Sequence, residues 1–327
     1  MENEATQKKS VIQVIFSRNF LTLFLAYLAG CLAFSCVGSV FVTYGTEKLG
    51  LNGVVVGSIA GLVSLIGLFM RPVTAIIVDK FNRKAMLCLG YGLLVCSNLM
   101  LILINSVNGL YAAQLTRGIA WALVNSAGFI MVGEVVDKDD LGTAMSVYSL
   151  AQVIASSFSA VMIMAIANSV GYQAGFIATA AFAAVAVLLV VSMKYVAKRA
   201  SKDNLTFTQS LKTIRFANLF SVECVPILVI SFTFQFASTM AGASWVLKYA
   251  KSELSIANAG LFATVANLIM YVTKPAFGKV MDKWGARWAV TSSGVGFAIT
   301  FFLMAKATDM NGLLIAAVVY GVLCGGF

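Results

Sequence analysis

The sequence predicts an all-α membrane protein built of two homologous transmembrane helical bundles. Three observations carry this. First, 60% of the 327 residues are hydrophobic and 11% charged, whereas a soluble domain has about a quarter of its residues charged, so most of the surface has to meet lipid. Second, one short pattern occurs twice, 203 residues apart: Arg71-Pro72 followed by Asp79, Lys80, Arg83 and Lys84, then Lys274-Pro275 followed by Asp282, Lys283 and Arg287. The same offset pairs Gly57 with Gly260, Leu65 with Leu268 and Gly118 with Gly321. Third, basic residues gather in every second loop.

A spanning helix needs about 20 apolar residues. On that rule ten spans are expected, over 19–44, 53–77, 85–104, 110–133, 143–168, 173–193, 219–247, 256–278, 288–305 and 312–327. Polar to mixed residues 1–17 precede the first span, with Lys8, Lys9 and Arg18 ahead of it. Its apolar run is too long for a cleavable signal. The second span carries Gly57 and Gly61 as a G-x-x-x-G and the sixth is rich in Ala over 174–186; small residues let backbones approach where lipid supplies no hydrophobic drive. The fourth span contains Arg117, and the second and eighth contain Pro72 and Pro275.

The polar segment 194–218 carries six Lys and Arg and divides the chain into a six-helix bundle over 1–193 and an incomplete bundle over 219–327. By the repeat, Phe327 corresponds to Val124, inside the fourth span. The chain is therefore expected to stop within its tenth helix, about two helices short of a second six-helix bundle. Repeated membrane halves of this kind are the architecture of secondary transporters.

With the N-terminus inside, the cytoplasmic segments hold 18 of the 23 Lys and Arg; the outer loops hold Lys48, Lys248, Lys251 and Lys306, and Arg117 lies within a span. This is the positive-inside bias, and it predicts a multi-pass protein of the cell (inner) membrane with a cytoplasmic N-terminus. The net charge of +10 is spent on topology, so no nucleic-acid partner is expected. The chain has no His, and its six Cys form no C-x-x-C pair, so no metal site and no cofactor are expected. The run Asp137, Lys138, Asp139, Asp140 lacks the second facing acidic cluster that a magnesium-dependent prenyltransferase needs. An enzyme is not expected; a transporter-like sensor is the other class weighed, and no large extra soluble domain favours it.

Arg117 is the one charge deep in a span, and an intramembrane charge marks a functional site by default. Gln114, Arg117, Trp121 and Asn125 follow at spacings of three, four and four, one stripe of a helix. The first span offers Tyr27, Ser35 and Ser39, the seventh Gln235, Ser238 and Trp245, and the tenth Tyr320, the repeat counterpart of Arg117. Amide and aromatic groups with one cation suit a small organic solute, anionic or zwitterionic rather than a lipophilic cation. Without a mid-membrane Asp or Glu, proton coupling is unsupported.

The duplicated loop resembles the signature of the major facilitator superfamily, G-x-x-x-D-[RK]-x-G-[RK]-[RK]. Gly278, Asp282, Lys283, Gly285 and Arg287 match it; in the first copy Asp79, Lys80, Arg83 and Lys84 match, while Ala75 and Asn82 stand at the two glycines. The resemblance implies a permease acting as a monomer by alternating access, with these residues as a gating motif. It implies that Asp282 meets the start of the fifth helix near Gly142, and that the first, fourth, seventh and tenth helices line the solute path. The family's R-x-x-Q-G of the fourth helix reads here with Gln114 and Arg117 exchanged, followed by Gly118. The G-x-x-x-G-P-x-x-G-G of drug antiporters is absent from 153–165, so proton-coupled drug or metabolite efflux remains the alternative.

Overall fold

The computed structural model describes residues 17–103, 106–136, 140–195, 225–241 and 261–324. Within them lie ten α-helices and no strand. They are α1 (Arg18–Thr43), α2 (Gly53–Lys80), α3 (Arg83–Leu103), α4 (Val107–Val135), α5 (Leu141–Ser169), α6 (Tyr172–Ser192), α7 (Val225–Ala241), α8 (Leu261–Trp284), α9 (Ala286–Lys306) and α10 (Met310–Leu323). Among the described residues, seven helices are long and apolar enough to cross a membrane: α1 to α6 and α9. The other three are α7, with 17 residues, α10, with 14, and α8, which carries Lys274, Lys279, Asp282 and Lys283. The chain divides into two compact units, 1–207 and 208–327.

Side chains set the helix starts. Ser17 caps α1 by accepting from the Phe20 amide at 3.3 Å, Asn52 caps α2 from Val54 at 2.9 Å, and Ser106 caps α4 from Gly109 at 3.2 Å. Each cap satisfies an amide that the first turn leaves without a helical partner. The α1 helix ends in a π-helical turn, Tyr44–Lys48, a widened geometry that is rare in proteins.

In the first unit α1 packs on α5 and α6, while α4 packs on α2 and α3, and α3 also meets α6. One part of the core is centred on Tyr27, Tyr91 and Tyr148, all fully buried, and a second on Phe41, Ile59, Leu110 and Phe176. In the second unit α10 packs on α8 and α9, with Phe262, Leu313 and Ala316 at the centre.

The 203-residue repeat reaches atomic detail. Both ends of α9 are those of α3 moved by 203: 83 becomes 286 and 103 becomes 306. Asp309 caps α10 by accepting from Gly312 at 2.9 Å, as Ser106 caps α4 from Gly109. A Cβ on Gly118 would lie 2.9 Å from Cβ of Ile66, and one on Gly321 would lie 2.7 Å from Cβ of Ile269, the counterpart of Ile66. The α2–α4 pair and its counterpart α8–α10 thus touch through equivalent Gly and Ile positions.

Candidate functional site

α4 begins at Val107, three residues before the expected span, so Arg117 lies about 15 Å along its axis. That is half of a hydrocarbon core about 30 Å thick. Arg117 is only 2% exposed, as is Gln114. Its guanidinium turns onto α1: Nη2 donates to the Phe34 carbonyl, Nη1 donates to Oε1 of Gln114 at 3.4 Å, and its carbon stands 4.3 Å over the Phe34 ring. Nε has no hydrogen-bond partner among the described residues.

The rest of the stripe also engages α1. Trp121 stacks on Phe34 at 4.1 Å and on Tyr27 at 6.0 Å, and Tyr27 stacks on Tyr148 at 4.3 Å. Asn125 accepts from the Tyr27 hydroxyl at 3.1 Å and donates to the Trp121 carbonyl at 2.9 Å. The structure thus brings Gln114, Arg117, Trp121 and Asn125 together as one α1–α4 seam, with a guanidinium at the end of a column of stacked rings.

Inserting an Arg at a membrane centre costs about 2.5–3.5 kcal/mol on translocon scales. A hydrogen bond from a charged group contributes about 1.5–3 kcal/mol, and a desolvated cation–π contact about 2 kcal/mol. The Phe34 contacts are therefore enough to hold the cation without a carboxylate. They leave it charged, since guanidinium does not deprotonate.

Ser35 is half-buried and Ser39 exposed on α1, beside exposed Gly38. Ser39 Oγ lies 3.4 Å from Oγ of Ser159 on α5, and exposed Gln152 and Ser156 extend that polar edge. Sequence reasoning singles out none of these α5 residues or Gly38. An i, i+4 pair such as Gln152 and Ser156 was the available signal, weak in a helix with serines on several faces.

In the second unit Tyr320 is half-buried between Phe262 at 6.0 Å and Phe297 at 5.6 Å. Gln235 and Ser238 lie on the described backbone of α7, but their side chains, and Trp245 altogether, fall outside the described set. A cavity of 560 Å³ lies elsewhere, beside the π turn, among Tyr44, Lys48, Tyr172 and Gln173. Tyr44 is ten residues beyond Phe34, about 15 Å along α1, so this cavity is not the Arg117 site.

The duplicated loop is built differently in its two copies. Asn82 caps α3 with its side chain, accepting from Lys84 at 3.0 Å and Ala85 at 3.4 Å. Its counterpart Gly285 caps α9 through a backbone φ of +85°, open to glycine. The two residues make the same turn by different means, which explains the departure at Asn82. Arg83 pairs with Glu134 at the end of α4, and the Tyr195 hydroxyl donates to the same carboxylate. Asp79 is 3.9 Å from Arg83 and 60% exposed, so that pair adds little. Lys84 Nζ donates to the carbonyls of Val191 at 2.8 Å and Met193 at 2.7 Å, satisfying the end of α6. Lys80 is half-buried at the end of α2. In the second copy Gly278 is buried, Asp282, Lys283 and Arg287 are exposed, and Lys283 Nζ stands 5.7 Å over the Trp284 ring.

The profile of the Major Facilitator Superfamily matches residues 23–225. Among solved structures the chain is similar to the human organic anion transporter MFSD10 (TETRAN), with a TM-score of 0.73 and 16% identity over 94% of this chain and 84% of that one. It is also similar to a mutant of the peptide transporter POT in complex with sulfate, with a TM-score of 0.63 and 14% identity over 93% of this chain and 79% of that one. No curated protein sequence matches it. At such identities the structural likeness speaks to the fold alone. The profile covers more than half of the chain, and it agrees with the helix order and the twice-built loop: the chain belongs to the Major Facilitator Superfamily and is a secondary transporter.

Proposed function

We propose that this transporter carries a small organic anion or zwitterion, without chemical conversion, and that Arg117 is the cation that holds it. The observation that carries the reading is a buried guanidinium near mid-membrane whose partners among the described residues are all neutral: a carbonyl, an amide and a ring. The described carboxylates Glu47, Asp79, Glu134, Asp140, Asp282 and Asp309 all sit at or just beyond helix ends. The field at Arg117 therefore favours an incoming negative group. Ser35 and Ser39 on α1, Gln152 and Ser156 on α5, and Trp121 on α4 supply neutral contacts. Gln235, Ser238 and Tyr320 are the matching candidates in the second unit. The organic anion named for MFSD10 and the sulfate bound to POT point the same way. The protein works as a monomer by alternating access, with the N-terminus and the 194–218 segment on the cytoplasmic side of the cell membrane.

The test is the thermal stability of the purified protein against benzoate, glutamate, choline and tetraphenylphosphonium. The anion and the zwitterion should raise the melting temperature and the two cations should not. The rise should vanish in Arg117→Gln and shrink in Arg117→Lys, because Lys lacks the planar fork. A rise with the cations alone, or one that survives in Arg117→Gln, overturns the reading.

A further inference from the structure

We infer that Gly38 is the opening through which an anionic group of carboxylate size reaches Arg117, and that its missing side chain sets the size limit for that group. The inference rests on Arg117 as anion anchor, but its test is separate. The free face of α1 runs Leu21, Leu25, Leu28, Leu32, Ser35, Gly38, Ser39 and Val42, each exposed or half-buried. Leucines cover its first half, and the small polar residues begin one position after Phe34, whose carbonyl and ring hold the guanidinium.

At that level Gly38 is exposed while Arg117 behind it is 2% exposed. Among the described residues, and apart from the adjoining stretch of α1 itself, a Cβ built on Gly38 would have a single neighbour within 4 Å, Nη2 of Arg117 at 3.8 Å. The guanidinium also keeps one buried N–H, at Nε, without a partner among the described residues. A buried cation with spare donor capacity thus lies directly behind an exposed position that carries no side chain. Ser35 and Ser39 are its polar neighbours on this face of α1, and the Ser39 hydroxyl donates to the Ser35 carbonyl at 3.0 Å.

Two other glycines on this unit behave differently. A Cβ on Gly118 or Gly90 would lie within 3.0 Å of a packed side chain, so those glycines serve helix contact. Gly38 has room for a methyl at ordinary contact distance. A Gly38→Ala protein should therefore fold at least as stably as the original, and any loss of anion response in it is not a folding defect.

The experiment replaces the six native cysteines, introduces Gly38→Cys in the full chain in liposomes, and measures labelling by two methanethiosulfonate reagents. One carries a sulfonate, the other a quaternary ammonium. The sulfonate reagent should label Gly38→Cys, and its rate relative to the ammonium reagent should fall on the order of tenfold when Arg117 is also changed to Gln, because a charge a few ångströms away acts strongly in a low-dielectric site. Labelling by neither reagent overturns the opening. A rate ratio unchanged by Arg117→Gln overturns its link to the guanidinium. In parallel, Gly38→Val should abolish the stabilisation by benzoate, and Gly38→Ala should weaken it while keeping or raising the melting temperature without ligand. Full benzoate stabilisation in Gly38→Val sinks the size limit. If Arg117→Gln loses the benzoate response while Gly38→Cys stays unlabelled, only the opening is wrong; charge-biased labelling with a benzoate response indifferent to Arg117 leaves the opening and removes the anchor.

Discussion

Glu134 shows how a single side chain can tie several helices. It receives Arg83 from the start of α3 and the Tyr195 hydroxyl from just beyond α6, and its pair with Arg83 is shielded, at 13% and 16% exposure. Removing one partner of such a pair leaves the other charge partly desolvated, which costs more than the pair itself contributes. Glu134→Gln and Arg83→Gln should each destabilise the purified protein by about 1–3 kcal/mol. The double variant should lose less than the sum, with a coupling of about 0.5–3 kcal/mol, as contacting residues show. Asp79→Asn should shift the melting temperature little. Additive effects of the two single substitutions would show that the pair is not made in solution. From the sequence, Arg83 was legible as a motif position, but Glu134 and Tyr195 were not, because neither carries a pattern and both act through three-dimensional proximity.

At the scale of the element, the helix pairs α2–α4 and α8–α10 meet through one glycine each. A Cβ on Gly118 would approach the Val63 carbonyl at 3.1 Å as well as Ile66, and one on Gly321 would approach the Ala266 carbonyl at 2.8 Å. Backbone cannot yield as a flexible side-chain tip does, so the helices must separate. Gly118→Ala and Gly321→Ala should therefore each lower stability by about 1–3 kcal/mol, the range for overpacking, against the gain in helix propensity. Thermal unfolding in detergent checks this, and an unchanged or raised melting temperature in both variants would mean that the close approach is not used. The helices themselves were legible, because runs of about 20 apolar residues announce them. Their ends were less so: α4 starts at Val107 and α2 extends to Lys80, since capping by Ser106 and the amphipathic reach of Lys80 prolong helices past their apolar runs.

The two halves of the molecule repeat not only a motif but a set of contacts, from the Ser106 and Asp309 caps to the Gly118 and Gly321 approaches. A duplicated bundle of odd and even helices carries its basic loops on one side. Single cysteines placed at Asn82, within 194–218 and at Gly285 should then all be shielded from an impermeant thiol reagent applied outside cells, whereas one at Lys48 should react. Labelling of the 194–218 segment from outside would invert the proposed orientation.

Composition, apolar run length and the 203-residue repeat by themselves determined the class of this protein, an all-helical membrane protein of two repeated halves; the resemblance of its duplicated loop to the major facilitator signature supplied the family. These properties are written in every residue of a span, so errors at single positions average out. What only the tertiary structure decided is what each polar residue does. Arg117 reads from the sequence as a charge awaiting solute; in the fold it is held by the Phe34 carbonyl and ring. The same reading cannot see that a Cβ on Gly38 would stand 3.8 Å from Nη2 of Arg117. A side chain's partners come from other helices, brought near by packing that one-dimensional spacing does not encode. The physical reason is that lipid exposure is a property of a helix face, whereas a buried charge is stabilised by individual atoms at contact distance.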